Sequence, residues 1–480
     1  MTLLLLLTFC GLCQIARADV ALQVLYTFPT NAVHALGTGF NLVEGVAGDF
    51  YGTTSYGGSN NCGAVFRVTT AGAFTNIFSF NGTNGYEPGS LVNGNDGFFY
   101  GTTVYGGTNY AGASTGNGTI FKITTNGVFT SLFSFKGTNG SFPRGPLALG
   151  SDGNFYGITE YGGNNYIQFA PTTGSGTIFK ITTNGALTSV FSFSGTNGAS
   201  PSGGLALGND GLFYGTTFYG ETNSTGNTGN GTVFEITTNG VLNTLFFFNG
   251  TNGADPALGL ALGSDGLFYG TTVFGGTNYA GAFTGNGTVF KITTNGDLTT
   301  LVSFNGTNGY PNGYDPQGYL TQGSDGNFYG TTLYGGNPNP AFPGQTYGTI
   351  FRVTTNGALT TLTYLNGTNG SQPYSQMVLG SDGNLYSTLG NVNGQQTING
   401  GTFSRLVLPS VITALTPTNN SATLSWASFS NGVYRVEYSS SLTTQNWMAL
   451  ATNTATGNTT SFTDTSGSTT QRYYRIRLLP

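Results

Sequence analysis

Short apolar runs separated by turn residues fill most of the chain. Segment 118–135 (GTIFKITTNGVFTSLFSF) holds two such runs on either side of Asn126-Gly127. An Asn-Gly pair between β-rich runs favours a tight hairpin, because both residues tolerate positive φ. The same dipeptide returns at Asn184-Gly185, Asn239-Gly240, Asn295-Gly296 and Asn356-Gly357. Each of these segments therefore predicts two antiparallel strands.

A second hairpin pattern precedes the first, as in 147–159 (LALGSDGNFYGIT), where a Ser-Asp-Gly-Asn turn joins an apolar run to an aromatic one. Its Phe-Tyr-Gly motif, or a degenerate copy of it, recurs along the chain at Tyr51, Tyr100, Tyr156, Tyr214, Tyr269, Tyr329 and Tyr386. Together the two hairpins make a four-stranded unit, which is the unit of a β-propeller blade. We name its strands A to D, from the inner to the outer strand.

The two ends of the repeat region each supply part of one unit. Segment 400–409 (GGTFSRLVLP) provides a third strand without a fourth, and 22–28 (LQVLYTF) matches a fourth strand without a third. Pairing them removes two free sheet edges. We therefore predict an all-β fold: a seven-bladed β-propeller closed by the N-terminal strand, followed by a small β-sandwich. A parallel β-solenoid is the alternative, although it needs neither Asn-Gly hairpins nor a split unit.

The order of motifs within a unit is specific. Segments such as GSDGNFYG, YGG, GTIFKITTNG and NGTNG follow one another repeatedly. This order resembles the GloVer tandem repeats of choice-of-anchor bacterial surface proteins, over about 22–407. The resemblance implies export and a propeller-like repeat fold, and it implies no enzymatic activity.

The composition changes near Pro409, where serine, threonine and asparagine become more frequent. Alternating segments follow at 421–428, 433–442, 460–466 and 472–479. They resemble a short fibronectin type III-like sandwich with Trp426 as its buried aromatic residue. We predict this module over 408–480, as a spacer or as a binding module.

The first 18 residues are typical of a secretory signal peptide. Leu3 to Leu7 open an apolar stretch too short to span a bilayer. Ala16-Arg17-Ala18 then offers a small-x-small cleavage site. We expect a secreted or cell-surface protein with no membrane span and a propeller over 19–407. A lipoprotein cleaved at Cys13 is disfavoured by Leu12. Cleavage would leave Cys62 as the one remaining cysteine, and we expect it to be a buried thiol.

Composition excludes two classes of protein. Charged residues make up 6% and aromatic residues 14% of the chain, the reverse of a disordered protein. A net charge of −5 with 13 basic residues disfavours nucleic acid binding. We expect a monomer without a cofactor.

Long, variable segments collect on one face of such a propeller, because B–C loops and D–A connections share it; we call it the loop face. Variable loops on a rigid scaffold are where binding usually occurs. Its aromatic residues at loop starts are Tyr56, Tyr105, Tyr161, Tyr219, Phe274 and Tyr334, with Tyr110, Tyr166 and Tyr279 further along. Surrounded by neutral polar residues, these rings suit a polysaccharide. For the loop-start residues we favour packing between blades over ligand contact, whereas we expect Tyr110, Tyr166 and Tyr279 to be exposed.

Two further series repeat with the blades. Asp96, Asp152, Asp210, Asp265, Asp325 and Asp382 share one turn position. Each turn offers one carboxylate, whereas calcium takes 6–8 oxygen ligands, so we predict turn caps and no metal. A strand position is shared by Arg67, Lys122, Lys180, Glu235, Lys291 and Arg352, and we expect these side chains to be solvated.

Residues for catalysis are scarce. His34 is the one histidine, so a serine or cysteine triad has one candidate base at most. Glu160, Glu221, Asp255 and Asp315 fall in or near the loop face, where a carboxylate pair would be needed for a glycoside hydrolase or lyase. We predict an exported, non-catalytic protein that binds polysaccharide or another surface ligand, with a structural or adhesive cell-surface protein as the alternative and the enzyme as the third reading.

Overall fold

The computed structural model describes residues 21–28, 42–45, 48–164, 166–167, 172–220, 229–256, 258–305, 313–336, 346–390, 401–408, 412–417, 421–428, 433–441, 446–456, 459–466 and 472–478. Every regular element within these ranges is a β-strand. None of the described residues belongs to a helix with the length and hydropathy needed to cross a bilayer. The predicted signal peptide, His34 and Glu221 lie outside the described residues.

The chain enters the fold through a single strand and then forms three successive sheets. These elements are β1 (Ala21–Thr27), β2 (Val43–Glu44), β3 (Phe50–Thr54), β4 (Ala64–Val68), β5 (Phe74–Ser79), β6 (Tyr86–Asn93), β7 (Phe98–Tyr105), β8 (Thr119–Thr124), β9 (Phe129–Ser134), β10 (Ala148–Leu149), β11 (Phe155–Thr159), β12 (Thr177–Ile181) and β13 (Leu187–Ser192).

The next four sheets repeat the pattern. Their strands are β14 (Ala206–Leu207), β15 (Phe213–Thr217), β16 (Thr232–Ile236), β17 (Leu242–Phe247), β18 (Ala261–Leu262), β19 (Phe268–Thr272), β20 (Thr288–Ile292), β21 (Leu298–Ser303), β22 (Thr321–Gln322), β23 (Phe328–Thr332), β24 (Thr349–Val353), β25 (Leu359–Tyr364), β26 (Val378–Leu379), β27 (Leu385–Leu389) and β28 (Thr402–Val407).

Six strands remain at the C-terminal end: β29 (Ile412–Pro417), β30 (Ala422–Ala427), β31 (Val433–Ser439), β32 (Met448–Thr454), β33 (Thr459–Asp464) and β34 (Tyr473–Leu478). They form two three-stranded antiparallel sheets, β29-β30-β33 and β32-β31-β34. One apolar cluster joins the sheets, with Trp426 of β30 fully buried against Tyr434 of β31. The predicted burial of Trp426 is confirmed.

Seven sheets of the described residues have four antiparallel strands each, an all-β, β-propeller-like architecture. Six of them follow the chain in order, from β2-β3-β4-β5 to β22-β23-β24-β25. The seventh has the order β1-β28-β27-β26, so the N-terminal strand supplies its fourth position. In that pairing Gln23 lies opposite Arg405. Within each sheet the four strands correspond to the predicted strands A to D.

Burial is greatest in the two middle strands of each sheet. Strand B, as in β15, and strand C, as in β16, are almost wholly buried, whereas strand A, as in β14, and strand D, as in β17, are half-buried. The middle strands are covered on both faces by neighbouring sheets, which explains their continuous apolar sequence. A Cβ on Gly215 of the Phe-Tyr-Gly motif would lie 2.5 Å from Cζ of Phe234, so glycine makes room for the ring of the adjacent strand.

The main core lies between consecutive sheets. In the first six sheets, the Phe-Tyr-Gly tyrosine of one sheet contacts the phenylalanine at the matching position of the next, as Tyr214 does Phe268 at 4.2 Å between ring centroids. Leu385 takes the place of that phenylalanine beside Tyr329. Aromatic side chains therefore fill the space between neighbouring sheets.

The repeated aspartates cap their turns, which confirms the sequence prediction. Asp210 Oδ1 accepts a hydrogen bond from the Leu212 N–H at 3.1 Å. Its Oδ2 accepts a second one, from the Tyr214 hydroxyl, at 2.6 Å. The turn carboxylate therefore also anchors the buried tyrosine, which sequence reasoning missed. Both bonds recur at Asp96, Asp152, Asp265, Asp325 and Asp382.

The strand-C cations are exposed or partly exposed, as expected, but two of them also bond to the next sheet. Lys122 Nζ donates to the Thr183 carbonyl at 3.0 Å, and Lys291 Nζ donates to the Thr355 carbonyl at 3.1 Å. Each acceptor lies in the Asn-Gly turn of the next sheet. Strand C is the third strand rather than the outermost, so its long side chains reach the neighbouring turn and link consecutive sheets.

Candidate ligand-binding face

The B–C loops and the D–A connections lie together, as the loop face requires. The Gly107 N–H of one B–C loop donates to the carbonyl of Gly82 in a D–A connection, at 3.1 Å. The Glu87 N–H donates to the carbonyl of Cys62, in another B–C loop, also at 3.1 Å. The long loops 105–118 and 274–287 are fully described, whereas 161–176, 219–231 and 334–348 are described in part.

Aromatic residues at the loop starts are half-buried against the D–A connections. Backbone bridges join Tyr161 to Ser141 and Tyr219 to Ala199. The Tyr105 ring lies edge-on to Phe142, with centroids 4.7 Å apart. These loop-start side chains therefore pack against the connections and still keep part of their surface exposed: Tyr105, Tyr161, Tyr219, Phe274 and Tyr334.

The expectation that Tyr110, Tyr166 and Tyr279 stand free is wrong. All three are half-buried, with their rings against glycines of the NGTNG connections. A Cβ on Gly250 would lie 2.1 Å from Cε1 of Tyr279, and one on Gly137 would lie 2.0 Å from Cζ of Tyr166. The Tyr279 hydroxyl also donates to Asn230 Oδ1 at 2.9 Å. Glycine leaves a flat surface on which the ring packs, so these tyrosines hold loops to connections.

One position in each of six D–A connections among the described residues has a left-handed backbone although it is not glycine. Asp255, with φ of 56°, precedes Pro256. Its N–H donates to the Asn230 carbonyl at 2.8 Å, and its carbonyl accepts from the Val273 N–H at 3.1 Å. Such a conformation is uncommon outside glycine, asparagine and aspartate, and these bonds fix it here. The series is Glu87, Phe142, Ser200, Asp255, Asp315 and Gln372.

Three charged residues form the first part of a site on this face. Arg144 Nε lies 2.6 Å from Glu160 Oε2, an ion pair between neighbouring segments. Burial raises the pKa of Glu87, and the nearby Arg144 guanidinium partly opposes that rise. Tyr105 lies beside the same groups: burial raises the pKa of its phenol, Arg144 lowers it and Glu87 raises it. A carboxylate pair linked by one guanidinium therefore adjoins Tyr105.

Asp255 extends the site toward Tyr219. Its residue surface is 5% exposed, and no described residue donates a hydrogen bond to its carboxylate. Burial raises its pKa to about 7. Burial also raises the pKa of the Tyr219 phenol, with further contributions from Asp255 and Glu160, so both carboxylates lie near Tyr219. We call this group the loop-face cluster: Glu87, Tyr105, Arg144, Glu160, Tyr161, Tyr219 and Asp255.

Asp315 occupies the position of Asp255 in the next connection. Burial raises its pKa to about 6, and a hydrogen bond of 3.0 Å from Gln317 Nε2 opposes the rise. Tyr334 and Tyr374 lie nearby; burial raises the pKa of Tyr374 to about 12, with smaller contributions from Tyr334 and Asp315. The combination of a buried carboxyl group and tyrosines therefore recurs in an adjacent segment.

Backbone segments from several connections converge below this face on Tyr319. The Gly204 N–H donates to the Tyr319 hydroxyl at 2.6 Å. A Cβ on Gly259 would lie 2.7 Å from the Tyr319 ring, and one on Gly203 would lie 2.1 Å from the Gly259 nitrogen. Burial raises the Tyr319 pKa to about 12. Glycines at these positions allow the inner segments to approach one another closely.

Sequence reasoning found Glu160, Asp255 and Asp315 but missed Glu87, Arg144 and Tyr319. One sequence feature could have pointed to these connections: a proline follows each of the six left-handed positions, as Pro88 follows Glu87. Among the described residues, no group of three or more His, Cys, Asp or Glu side chains is placed to hold a metal ion.

Solved structures similar to this chain share little sequence with it. The extracellular domain of a hybrid two-component system from B. thetaiotaomicron is 11% identical, with a TM-score of 0.49; the match covers 96% of this chain and 56% of that one. A fungal alcohol oxidase in complex with copper is 12% identical, with 93% and 88% covered and a TM-score of 0.47. A PQQ-bound aldose sugar dehydrogenase from Streptomyces coelicolor is 14% identical, with 81% and 98% covered and a TM-score of 0.38. No curated protein matches the chain.

A family match is far more extensive. The Gloeobacter/Verrucomicrobia repeat matches residues 11–228 and 217–467. This span confirms the repeat family that the ordered motifs indicated, and it extends past the predicted boundary at 407. The chain therefore belongs to the Gloeobacter/Verrucomicrobia repeat family.

Proposed function

We propose that this protein is an exported, non-catalytic binding protein that holds a polysaccharide on its loop face. The observation that carries the proposal is the loop-face cluster, where partly exposed Tyr105, Tyr161 and Tyr219 adjoin one buried and two half-buried carboxyl groups. Flat aromatic rings cover the apolar faces of sugars, and carboxylates accept hydrogen bonds from hydroxyl groups. Rigid strands beneath the connections hold these groups in place.

The scaffold we propose is a closed seven-bladed propeller over 19–407. Contacts between the first and last sheets support it: the Ser381 hydroxyl donates to Glu44 Oε1 at 2.6 Å. A Cβ on Gly72 would lie 2.2 Å from the carbonyl oxygen of Leu25 in β1. The glycines of later Asn-Gly turns meet the carbonyl of the preceding strand D in the same way, as Gly127 meets Ile77.

The proposal has two further parts. The protein is exported through a signal peptide over 1–18, and it carries a fibronectin type III-like module over 408–480. The paired three-stranded sheets around Trp426 support the module. The apolar stretch followed by Ala16-Arg17-Ala18 supports export.

A structural or adhesive role is the alternative. The rings of Tyr110, Tyr166 and Tyr279 favour it, because they pack on glycines and tighten the scaffold. A glycoside hydrolase or lyase ranks third, since Arg144 already pairs with Glu160.

A binding screen tests the proposal. Residues 19–480 are presented with a panel of soluble and insoluble polysaccharides, beside a Tyr105→Leu/Tyr161→Leu/Tyr219→Leu variant. Leucine keeps apolar volume but removes the aromatic face. Val128→Ala/Val241→Ala, at exposed Asn-Gly turns outside the loop face, is the control. We expect binding that the triple variant loses and the control keeps. No binding to any polysaccharide would favour the structural role.

A further inference from the structure

We infer that the loop-face cluster binds a protonated amine, so that the polysaccharide it takes is built from amino sugars. This inference rests on the proposed function and specifies its ligand. It begins from one side chain, the carboxylate of Asp255.

Asp255 differs from the other deeply buried carboxylates of the described residues. Those are Asp49, Glu437 and Asp464, and each pairs with an arginine: Arg67, Arg475 and Arg472. Asp255 is equally buried and has neither an ion pair nor a hydrogen-bond donor among the described residues. Burial without a partner disfavours the charged form of this carboxylate, and an outside cation would stabilise that form by completing the pair.

The backbone holds that carboxylate in a defined place. Asp255 lies between two hydrogen bonds, to Asn230 and from Val273, in a left-handed conformation that a following proline also restricts. The same conformation recurs at the matching position of the other described connections, so the fold itself fixes this residue. Because the position is fixed before binding, a ligand would lose little free energy in ordering it.

The neighbouring groups suit an organic cation. Tyr219 lies near both Asp255 and Glu160, and a tyrosine ring attracts an ammonium group through its π face. Glu87 and Glu160 lie near one guanidinium, that of Arg144, and Asp255 adds a third carboxylate on the other side, near Tyr219, so the cluster is acidic. A field of one sign over a cleft concentrates ions of the other sign.

A metal ion fits these residues less well. Calcium takes 6–8 oxygens and usually several carboxylates. The described acidic side chains form no group of three or more at one point. One ammonium group needs a single carboxylate and nearby hydroxyl or aromatic groups, which Asp255 and Tyr219 provide.

The test compares two ligands that differ in charge. Oligomers of glucosamine and of N-acetylglucosamine, equal in length, are titrated calorimetrically into residues 19–480 at neutral pH. We expect the charged oligomer to bind at least about tenfold more tightly. Asp255→Asn should remove most of this preference. Asp297→Asn, which removes an exposed carboxylate from an Asn-Gly turn of the same sheet, should keep it.

Melting temperature provides a readout of folding. Asn is isosteric with Asp and favours a left-handed backbone, so Asp255→Asn should fold and melt higher than the parent protein. Higher stability together with lost amine preference supports the inference. Equal binding of the two oligomers overturns the inference and leaves the proposed function standing. The same conclusion follows if neither oligomer binds but another polysaccharide of the panel does. No binding to any polysaccharide overturns both.

Discussion

The ring of Tyr386, in the last four-stranded sheet, lies 4.2 Å from the ring of Phe50, in the first. The same contact joins the first six sheets in order, from 3.9 Å for Tyr269 and Phe328 to 4.6 Å for Tyr51 and Phe99. The pair Phe50 and Tyr386 repeats this contact between the first and last sheets, and it is one of the observations that support the proposed ring.

Removing β1 tests the proposed ring. Deleting residues 21–27 exposes the edge of β28 and the core around Phe403, so we expect aggregation and a large fall in melting temperature. Phe28→Ala is a milder version; its buried ring packs on Phe66 and Phe74, and its loss should cost about 3–5 kcal/mol of unfolding free energy. Normal melting of the deletion variant, measured by circular dichroism, would disprove closure.

The bond between each turn aspartate and its tyrosine should contribute measurably to stability. Tyr214→Phe removes the hydroxyl that donates to Asp210, and we expect a loss of about 0.5–1.5 kcal/mol in urea unfolding. Asp210→Asn should lose a similar amount. Because one carboxylate per turn already has these partners, adding calcium or a chelator should leave the transition unchanged. A calcium-dependent shift would contradict the turn-cap assignment.

Lysines of strand C should link consecutive sheets. Glu235 stands where Lys122 and Lys291 bond to the next turn. We expect Glu235→Lys to gain a bond to the Thr294 carbonyl and to stabilise the fold by about 0.5–1 kcal/mol. Lys122→Met should lose a similar amount. Chemical denaturation of both variants checks the sign; a destabilised Glu235→Lys protein would count against such a link.

Glycine beneath a tyrosine ring should tolerate no side chain. Gly250 and Gly266 have similar positive φ, 87° and 81°, but a Cβ meets the Tyr279 ring at the first and nothing within 4 Å at the second. We therefore expect Gly250→Ala to cost about 1–3 kcal/mol more than Gly266→Ala. Tyr279→Ala should relieve part of that difference in a double-mutant cycle. Equal effects at the two glycines would mean that the ring yields freely.

Asp255 should make stability depend on pH. Burial raises its pKa in the folded protein to about 7, from an ordinary value of 3.8. Between these values the folded state holds a proton that the unfolded state has lost, so stability falls as pH rises from about 4 to about 7. Asp315 acts in the same direction up to its pKa of about 6.

The variant Asp255→Asn should therefore match the parent protein near pH 4 and exceed it by about 2–4 kcal/mol at pH 8. Urea unfolding at both pH values measures the difference, with Asp297→Asn as the exposed control. A constant difference across this range would show that Asp255 is paired in solution.

Local patterns were enough to predict the strands. Period-two alternation, Asn-Gly turns and the Phe-Tyr-Gly motif placed four strands in each repeat, and they marked 22–28 as the missing strand D of the seventh sheet. The turn aspartates were equally readable, since an Asx cap bonds only two residues along the chain. Hydrogen-bond partners that are close in sequence can be recognised from the local residue pattern.

Contacts between repeats cannot be recognised from the local residue pattern in the same way. Tyr279 was expected to be exposed because its partner, Gly250, has no side chain to suggest a contact. The sequence does not point to Arg144, because its partner Glu160 follows β11, on the far side of the β10–β11 hairpin.

Strand order, turn chemistry and family can be read from the amino-acid sequence, because they follow from interactions within one repeat. The membership of the loop-face cluster depends on how the repeats pack. Asp255 and Glu160 are separated by two repeats in sequence, and both lie near Tyr219 because the sheets bring successive connections side by side. Whether a carboxylate is paired or left alone depends on that arrangement, since burial and partner distance are properties of the packed molecule.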